Sequence, residues 1–225
     1  MNIFRFLLLG AAALGITVTA IFFQPPLLQL LPLYISLIVM LLQTKANRFG
    51  YLVGAGNSVL YAIAYFSLHL YGSAIYAISV SFPLQIITFI RWRKRAYGHS
   101  TVLRRLSGKQ RLVWSMGGIA VWGILYATLS DCGSAYLILD NTVTVIGIAS
   151  TIGSLLALIE FPFLQIASSI VSCVLYSMML QEKPSQITYL IYAVYCLICS
   201  IISFVYMNAL YKRQQEEQRH ETGMG

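Results

Sequence analysis

Charge is what this chain has least of. Only 10% of its 225 residues are Asp, Glu, Lys or Arg, against roughly a quarter in soluble domains, while 58% are hydrophobic. A water-soluble fold of this size would have too few charges to cover its surface, whereas a chain dissolved in lipid needs none over most of its length. The bilayer is therefore its main solvent. Acidic residues are scarcer still, 7 against 15 Lys and Arg. The net charge of +8 does not point to nucleic acid, because the basic residues cluster between apolar runs, as topology signals do. Cysteine is limited to Cys132, Cys173, Cys196 and Cys199. Cys196 and Cys199 have Cys-x-x-Cys spacing, but they lie inside an apolar run with no second pair and no nearby His, so they read as small buried residues and not as metal ligands. Catalytic groupings are missing too. His69, His99 and His220 fall in loops or the tail, no Ser-His-acid set converges, and no Gly-rich phosphate loop occurs. No enzyme, no metal and no cofactor is expected, and ATP-driven transport is excluded for this chain alone.

What is present is a series of apolar stretches near the length that spans hydrocarbon as a helix. Eight are expected: Ile3 to Phe23, Leu27 to Gln43, Gly50 to Leu68, Ser73 to Ile90, Leu112 to Leu129, Leu137 to Ile159, Phe163 to Leu180 and Ile187 to Tyr211. Proline and glycine mark most breaks, and the connections are short, so consecutive helices are antiparallel neighbours in one bundle. The fold class is all-α integral membrane. With eight spans and a cytoplasmic start, 14 of the 15 basic residues fall on one side and Lys183 alone on the other. Both termini are then cytoplasmic. The first segment also carries signal-peptide features, Arg5 before an apolar run with Val18 and Ala20 at small positions, but the run is long for one and is read as a retained helix.

Segments two to four and six to eight form two groups of three in the same order, each starting outside and ending inside. The expected organisation is an extra helix at 1–23, a first three-helix repeat at 27–91, a basic loop and connecting helix at 92–130, a second repeat at 135–211 and a tail at 212–225. Asn57, Tyr65 and Ser73 fall opposite Ser169, Tyr176 and Ser185. This three, one, three pattern resembles the SWEET sugar transporters and their bacterial relatives.

Polar residues at membrane depth cost several kcal/mol if unpaired, so each has a structural and a functional reading. Asn57, Tyr61 and Tyr65 share a helical face and serve either as interhelical glue or as a site for an aromatic, hydrogen-bonding solute. Asp140 and Asn141 open the sixth segment, with Thr144, Gly147 and Thr151 on the Asp140 face. Gln165, Ser169, Ser172 and Tyr176 form a stripe on the seventh. Gln85 lies two residues after Pro83, where a missing backbone bond frees a carbonyl. Tyr189 and Tyr192 share a face of the eighth, and Tyr189 also suits a membrane interface. The candidate binding set is Asn57, Tyr61, Gln85, Asp140, Asn141, Thr144, Gln165, Ser169, Tyr176 and Tyr189.

The stretch Gly54-Ala55-Gly56-Asn57-Ser58-Val59-Leu60-Tyr61, followed by Leu70-Tyr71-Gly72 and closing at Arg91-Trp92, resembles the first repeat of the PnuC-type nicotinamide riboside transporters. Leu139-Asp140, Thr144-Val145 and Glu160 are similar to its second repeat. The resemblance covers roughly residues 27 to 211, and an extra leading helix also occurs in the family. It implies facilitated uptake of a small aromatic vitamin or nucleoside through a bacterial inner membrane, trapped by intracellular phosphorylation, with the solute between the repeats. Asn57 and Asp140 match family positions. Where the family tends to carry Trp-x-x-x-Asn in the seventh helix, this chain has Gln165 and Ser169, and a site with changed hydrogen bonds changes its ligand. Thiamine, riboflavin and deoxynucleosides therefore stand beside nicotinamide riboside. A non-transporting membrane subunit is the reading from another class. The partners expected are the solute and the lipid bilayer, with room left for a homo-oligomer.

Overall fold

Lipid offers the backbone no hydrogen-bond partner, so each span must satisfy itself, and helices do so within one segment. The computed structural model describes residues 2–222 and contains eight such helices. They are α1 Asn2–Phe23, α2 Leu27–Gln43, α3 Phe49–Ser67, α4 Tyr71–Lys94, α5 Gly108–Asp131, α6 Leu137–Leu155, α7 Phe161–Glu182 and α8 Ile187–Thr222. Seven of the described helices are long and apolar enough to cross a bilayer. The eighth, α2, has 17 residues, at the short limit of the roughly 17–25 that span one.

Six helices close a ring. α2 packs on α3, α3 on α4, α4 on α6, α6 on α7, α7 on α8, and α8 back on α2. The middle helices α3 and α7 stand on opposite sides of it. α1 and α5 lie outside, α1 against α8 and α2, α5 mainly against α6, and only 11% and 6% of their apolar windows are buried by protein. A hydrogen bond of 2.8 Å between the Thr17 and Tyr34 hydroxyls ties α1 to α2.

Hydrogen bonds between connections sort the ends of the helices into two groups. At one end the Arg48 N–H donates to His99 O, Arg104 bonds the backbone of Ala157 and Ile159, and Gln214 of α8 bridges Leu103 N–H and Thr101 O. At the other end the Ala135 N–H donates to His69 O. The basic 91–111 stretch and the charged part of α8 thus share one end, here the basic end. Trp92 seals it: fully buried, its indole N–H donates to Ser154 O at 2.8 Å and its ring meets Tyr51 edge-on at 4.8 Å.

The basic loop is more ordered than expected of a loop. Ala96–Tyr97 and Ser100–Thr101 pair as a two-stranded hairpin (β1, β2) turned at Gly98, whose φ of +56° glycine adopts without penalty. The Tyr97 hydroxyl donates to both oxygens of Glu217 on α8, and that bond holds its pKa above the ordinary value. α5 then starts on a capping box, in which Ser107 Oγ accepts from Gln110 N–H while the Gln110 side chain accepts from Ser107 N–H. α6 stops at Leu155, short of the expected Ile159, because Ala157 turns at φ +57° and the backbone at Leu158 pairs with Arg104.

Two devices shape α4. Pro83 cannot donate to the preceding turn, and the segment Ala77–Ser81 just before it winds as a π-helix in which the Phe82 N–H reaches Ala77 O. At its start, Gly72 N–H and Ser73 N–H donate to the two carboxylate oxygens of Asp140 at 2.9 and 3.1 Å, and the hydroxyls of Ser73 and Ser134 add bonds of 2.5 and 2.8 Å. Asp140 is a cap supplied from α6, its negative charge set against the positive end of the α4 dipole. Gly72 is obligatory here, since an added Cβ would lie 3.0 Å from the carboxylate and 2.9 Å from Thr144 Oγ1. We predict that Asp140→Ala, which strands two buried N–H groups, destabilises the protein by about 2–4 kcal/mol, and that Asp140→Asn costs less because one acceptor oxygen remains. Thermal unfolding of the detergent-purified variants measures both.

Candidate functional site

The ring encloses a cavity of about 260 Å³ to which all six of its helices contribute side chains. It is bounded toward the basic end by Tyr51 and Gln43 and toward the opposite end by Tyr65 and Tyr176. Among the described residues no Asp, Glu, Lys, Arg or His lines it. The polar part of the walls is tyrosine, serine, threonine and carboxamide, and Val39, Met40 and Val143 add apolar surface. A volume at the lower edge of the roughly 300–1,000 Å³ of drug-sized pockets suits a small solute.

Hydrogen-bond accounting sets what the carboxamides present. The Asn57 Nδ2 donates to Pro32 O at 3.0 Å and to Ser36 Oγ at 2.7 Å. A backbone carbonyl accepts only, so this orientation is dictated, and Asn57 Oδ1 is left buried without a partner among the described residues. Gln85 is fixed by a longer chain of reasoning. Ser58 Oγ donates to Gly54 O at 3.0 Å, which uses its proton. Ser81 must then donate to Ser58 across 2.9 Å. Both hydroxyls are left as acceptors for Gln85 Nε2, at 3.0 and 2.7 Å. Gln85 Oε1 accordingly has no partner among the described residues and sits over Gly54, where an added Cβ would collide with it.

On the opposite wall Gln165 Nε2 donates to Gln43 Oε1 at 3.3 Å, joining α7 to α2, and Gln165 Oε1 has no partner among the described residues. The hydroxyls of Tyr51, Tyr61 and Ser200 line the same space and can each donate or accept. A buried polar atom left dry costs about 1–3 kcal/mol, so this set makes the chamber one that favours a polar, hydrogen-bonding occupant. Aromatic faces complete it. Tyr61 stacks on Tyr65 at 5.0 Å and tilts against Tyr192 at 6.3 Å, while the Tyr76 hydroxyl bonds Thr151 at 2.6 Å and its ring lies over Gly147.

Of the ten candidates, Asn57, Tyr61, Gln85, Gln165, Ser169 and Tyr176 meet at this cavity. The other four do not. Asp140 is the cap of α4, with all four of its bonds to protein. Asn141 donates to Trp122 O at 2.9 Å and fastens α5 to α6. Thr144 packs beside Gly72, and Tyr189 donates to Gln29 O at 3.2 Å within the apolar cluster at the end opposite the basic one. The candidate set lacks Ser36, Gln43, Ser58, Tyr76, Ser81 and Ser200, which line the cavity as well. Tyr76 and Ser81 escape helical spacing because the π-turn puts residues five apart on one face. The signal available was Pro83, which requires some such irregularity.

A closed helical ring around an uncharged polar chamber, in a multi-pass membrane protein, defines a transporter of small solutes. The chain belongs to the nicotinamide mononucleotide transporter family, whose model matches residues 26–208. Among solved structures it is similar to the crystal structure of the vitamin B3 transporter PnuC, with a TM-score of 0.80 at 21% identity, covering 94% of this chain and 92% of that one. That likeness concerns the fold. No curated protein sequence matches the chain.

Gly54 and Gln85 act on one oxygen. We predict that Gly54→Ala and Gln85→Ala each weaken solute binding about 5- to 10-fold, and that the double variant is no worse than the weaker single one. Titration calorimetry checks this; additive losses would contradict the shared-oxygen geometry.

Proposed function

We propose that this protein carries a dephosphorylated aromatic nucleoside or vitamin, of the nicotinamide riboside type, into the cell across the bacterial inner membrane by facilitated diffusion, with both termini cytoplasmic. The observation that supports it most is the combination of carboxamide oxygens without a protein partner on the lining residues Asn57, Gln85 and Gln165 with the lack of any formal charge among the described lining residues. Such a chamber suits a ligand rich in O–H and N–H donors. Ribose hydroxyls and a carboxamide supply them. Tyrosine faces favour a ring, and tolerate one that carries positive charge, because the aromatic quadrupole attracts cations. A phosphate ester would enter with no cation to receive it, and an unpaired buried anion is strongly disfavoured.

In this reading Asn57, Gln85, Gln165 and Ser169 bind polar groups, and Tyr61 and Tyr176 hold the ring. Asp140, Asn141, Thr144 and Tyr189 support the walls. The triplets α2–α4 and α6–α8 tilt against each other about the chamber, as paired repeats do in other carriers. Phosphorylation inside the cell would then produce an anion that the chamber rejects, which makes uptake one-way without ion coupling.

The test is uptake into liposomes. Nicotinamide riboside is expected to enter and its 5′-mononucleotide is not; thiamine, riboflavin and deoxynucleosides, offered in turn, grade the ligand. Asn57→Ala and Gln165→Ala are each expected to weaken uptake about 5- to 150-fold at unchanged expression, the equivalent of about 1–3 kcal/mol. Equal entry of the mononucleotide would overturn the charge argument, and normal uptake in both variants would overturn the residue assignment.

A further inference from the structure

On the face of α8 that turns away from the transport chamber, a second hollow opens toward α1. It encloses about 520 Å³ at the basic end, with apolar walls that include Phe4, Ile201, Ile202 and Val205. Arg5 and Arg213 both line it, and among the described residues no carboxylate does. Arg5 is only 3% exposed, and neither its Nε nor its Nη2 meets an acceptor among the described residues. Its guanidinium carbon lies 5.8 Å from the centroid of the Tyr206 ring.

A buried guanidinium without a counter-ion is costly, and a ring face offsets only part of that cost. An anion completes the site. The walls indicate what kind. Phe4, Ile201 and Val205 are 56%, 47% and 64% exposed, on helices whose outer faces meet acyl chains. A free inorganic anion would answer the two arginines and leave these walls unfilled, whereas a phospholipid brings a phosphate and a hydrocarbon chain on one molecule. Two cations in a hollow that no carboxylate lines among the described residues favour a headgroup of net negative charge over a zwitterionic one.

We propose that the α1–α8 groove binds an anionic phospholipid, its phosphate between Arg5 and Arg213 and one acyl chain along Ile201, Ile202 and Val205. The lipid then braces α1 against the ring. Its site is independent of the solute chamber, because Tyr192, Cys196 and Ser200 line that chamber from the other face of α8.

The test is thermal unfolding of the delipidated, detergent-purified protein with added phosphatidylglycerol, phosphatidylcholine or inorganic phosphate. Phosphatidylglycerol is expected to raise the unfolding midpoint by several degrees, and the other two are not, since a ligand that prefers the folded state stabilises it by mass action. Arg5→Gln is expected to abolish that shift and Arg213→Gln, at the exposed rim, to cut it by more than half. Should Arg5→Gln fail to fold, Arg213→Gln and the headgroup comparison on the unaltered protein decide. Equal shifts from phosphatidylcholine or from phosphate would overturn the proposal, as would a full shift in Arg213→Gln.

Discussion

A polar atom buried at membrane depth has no bulk water to fall back on, and the structure of this carrier follows from where that rule is obeyed and where it is suspended. At several joints of the bundle it is obeyed: Asp140 takes four bonds and the Trp92 indole finds Ser154. Around the chamber it is suspended. The carboxamide oxygens of the lining residues Asn57, Gln85 and Gln165 have no partner among the described residues. Their nitrogens are held by protein, so these side chains have acceptors left over, while the tyrosine and serine hydroxyls beside them can donate or accept.

The scaffold makes this arrangement possible by keeping α3 and α7 apart. Contacts between triplets run through α2 with α8 and α4 with α6, so the ring is closed at its flanks and open at its centre. The π-turn before Pro83 brings Tyr76, Ser81 and Gln85 into one lining surface, and Gly54 and Gly147 leave the space that Gln85 and Tyr76 occupy. Each of these is a local departure from regular helix or from side-chain bulk, and each adjoins the cavity.

The fold was legible in the sequence because its physics is one-dimensional. Apolar length gives the spans, and Pro and Gly give the breaks. The stripe Gln165, Ser169, Tyr176 and the face of Asn57 and Tyr61 were readable from helical spacing. Asp140 shows what spacing leaves out. A carboxylate on a polar helical face looks the same in sequence whether it meets a solute or the N-terminus of a neighbouring helix, and only the three-dimensional approach of Gly72 distinguishes them. Gln43 and Ser36 escaped because with Gln29 they form only a sparse polar stripe, one residue every two turns, and each is fixed by the partner it binds, Gln165 and Asn57. Arg5 was read as a topology signal, which explains its charge but not its burial.

On α7, Ser169 lines the chamber while Ile170, half exposed, faces lipid, and thiol labelling distinguishes the two faces directly. In a background with the native cysteines replaced by alanine, Ser169→Cys and Ile170→Cys would be exposed in membranes to a water-soluble thiol reagent. Ser169→Cys is expected to be modified, with the transported solute slowing the modification, and Ile170→Cys is expected to be inert. Rapid labelling at 170 with none at 169 would contradict this placement.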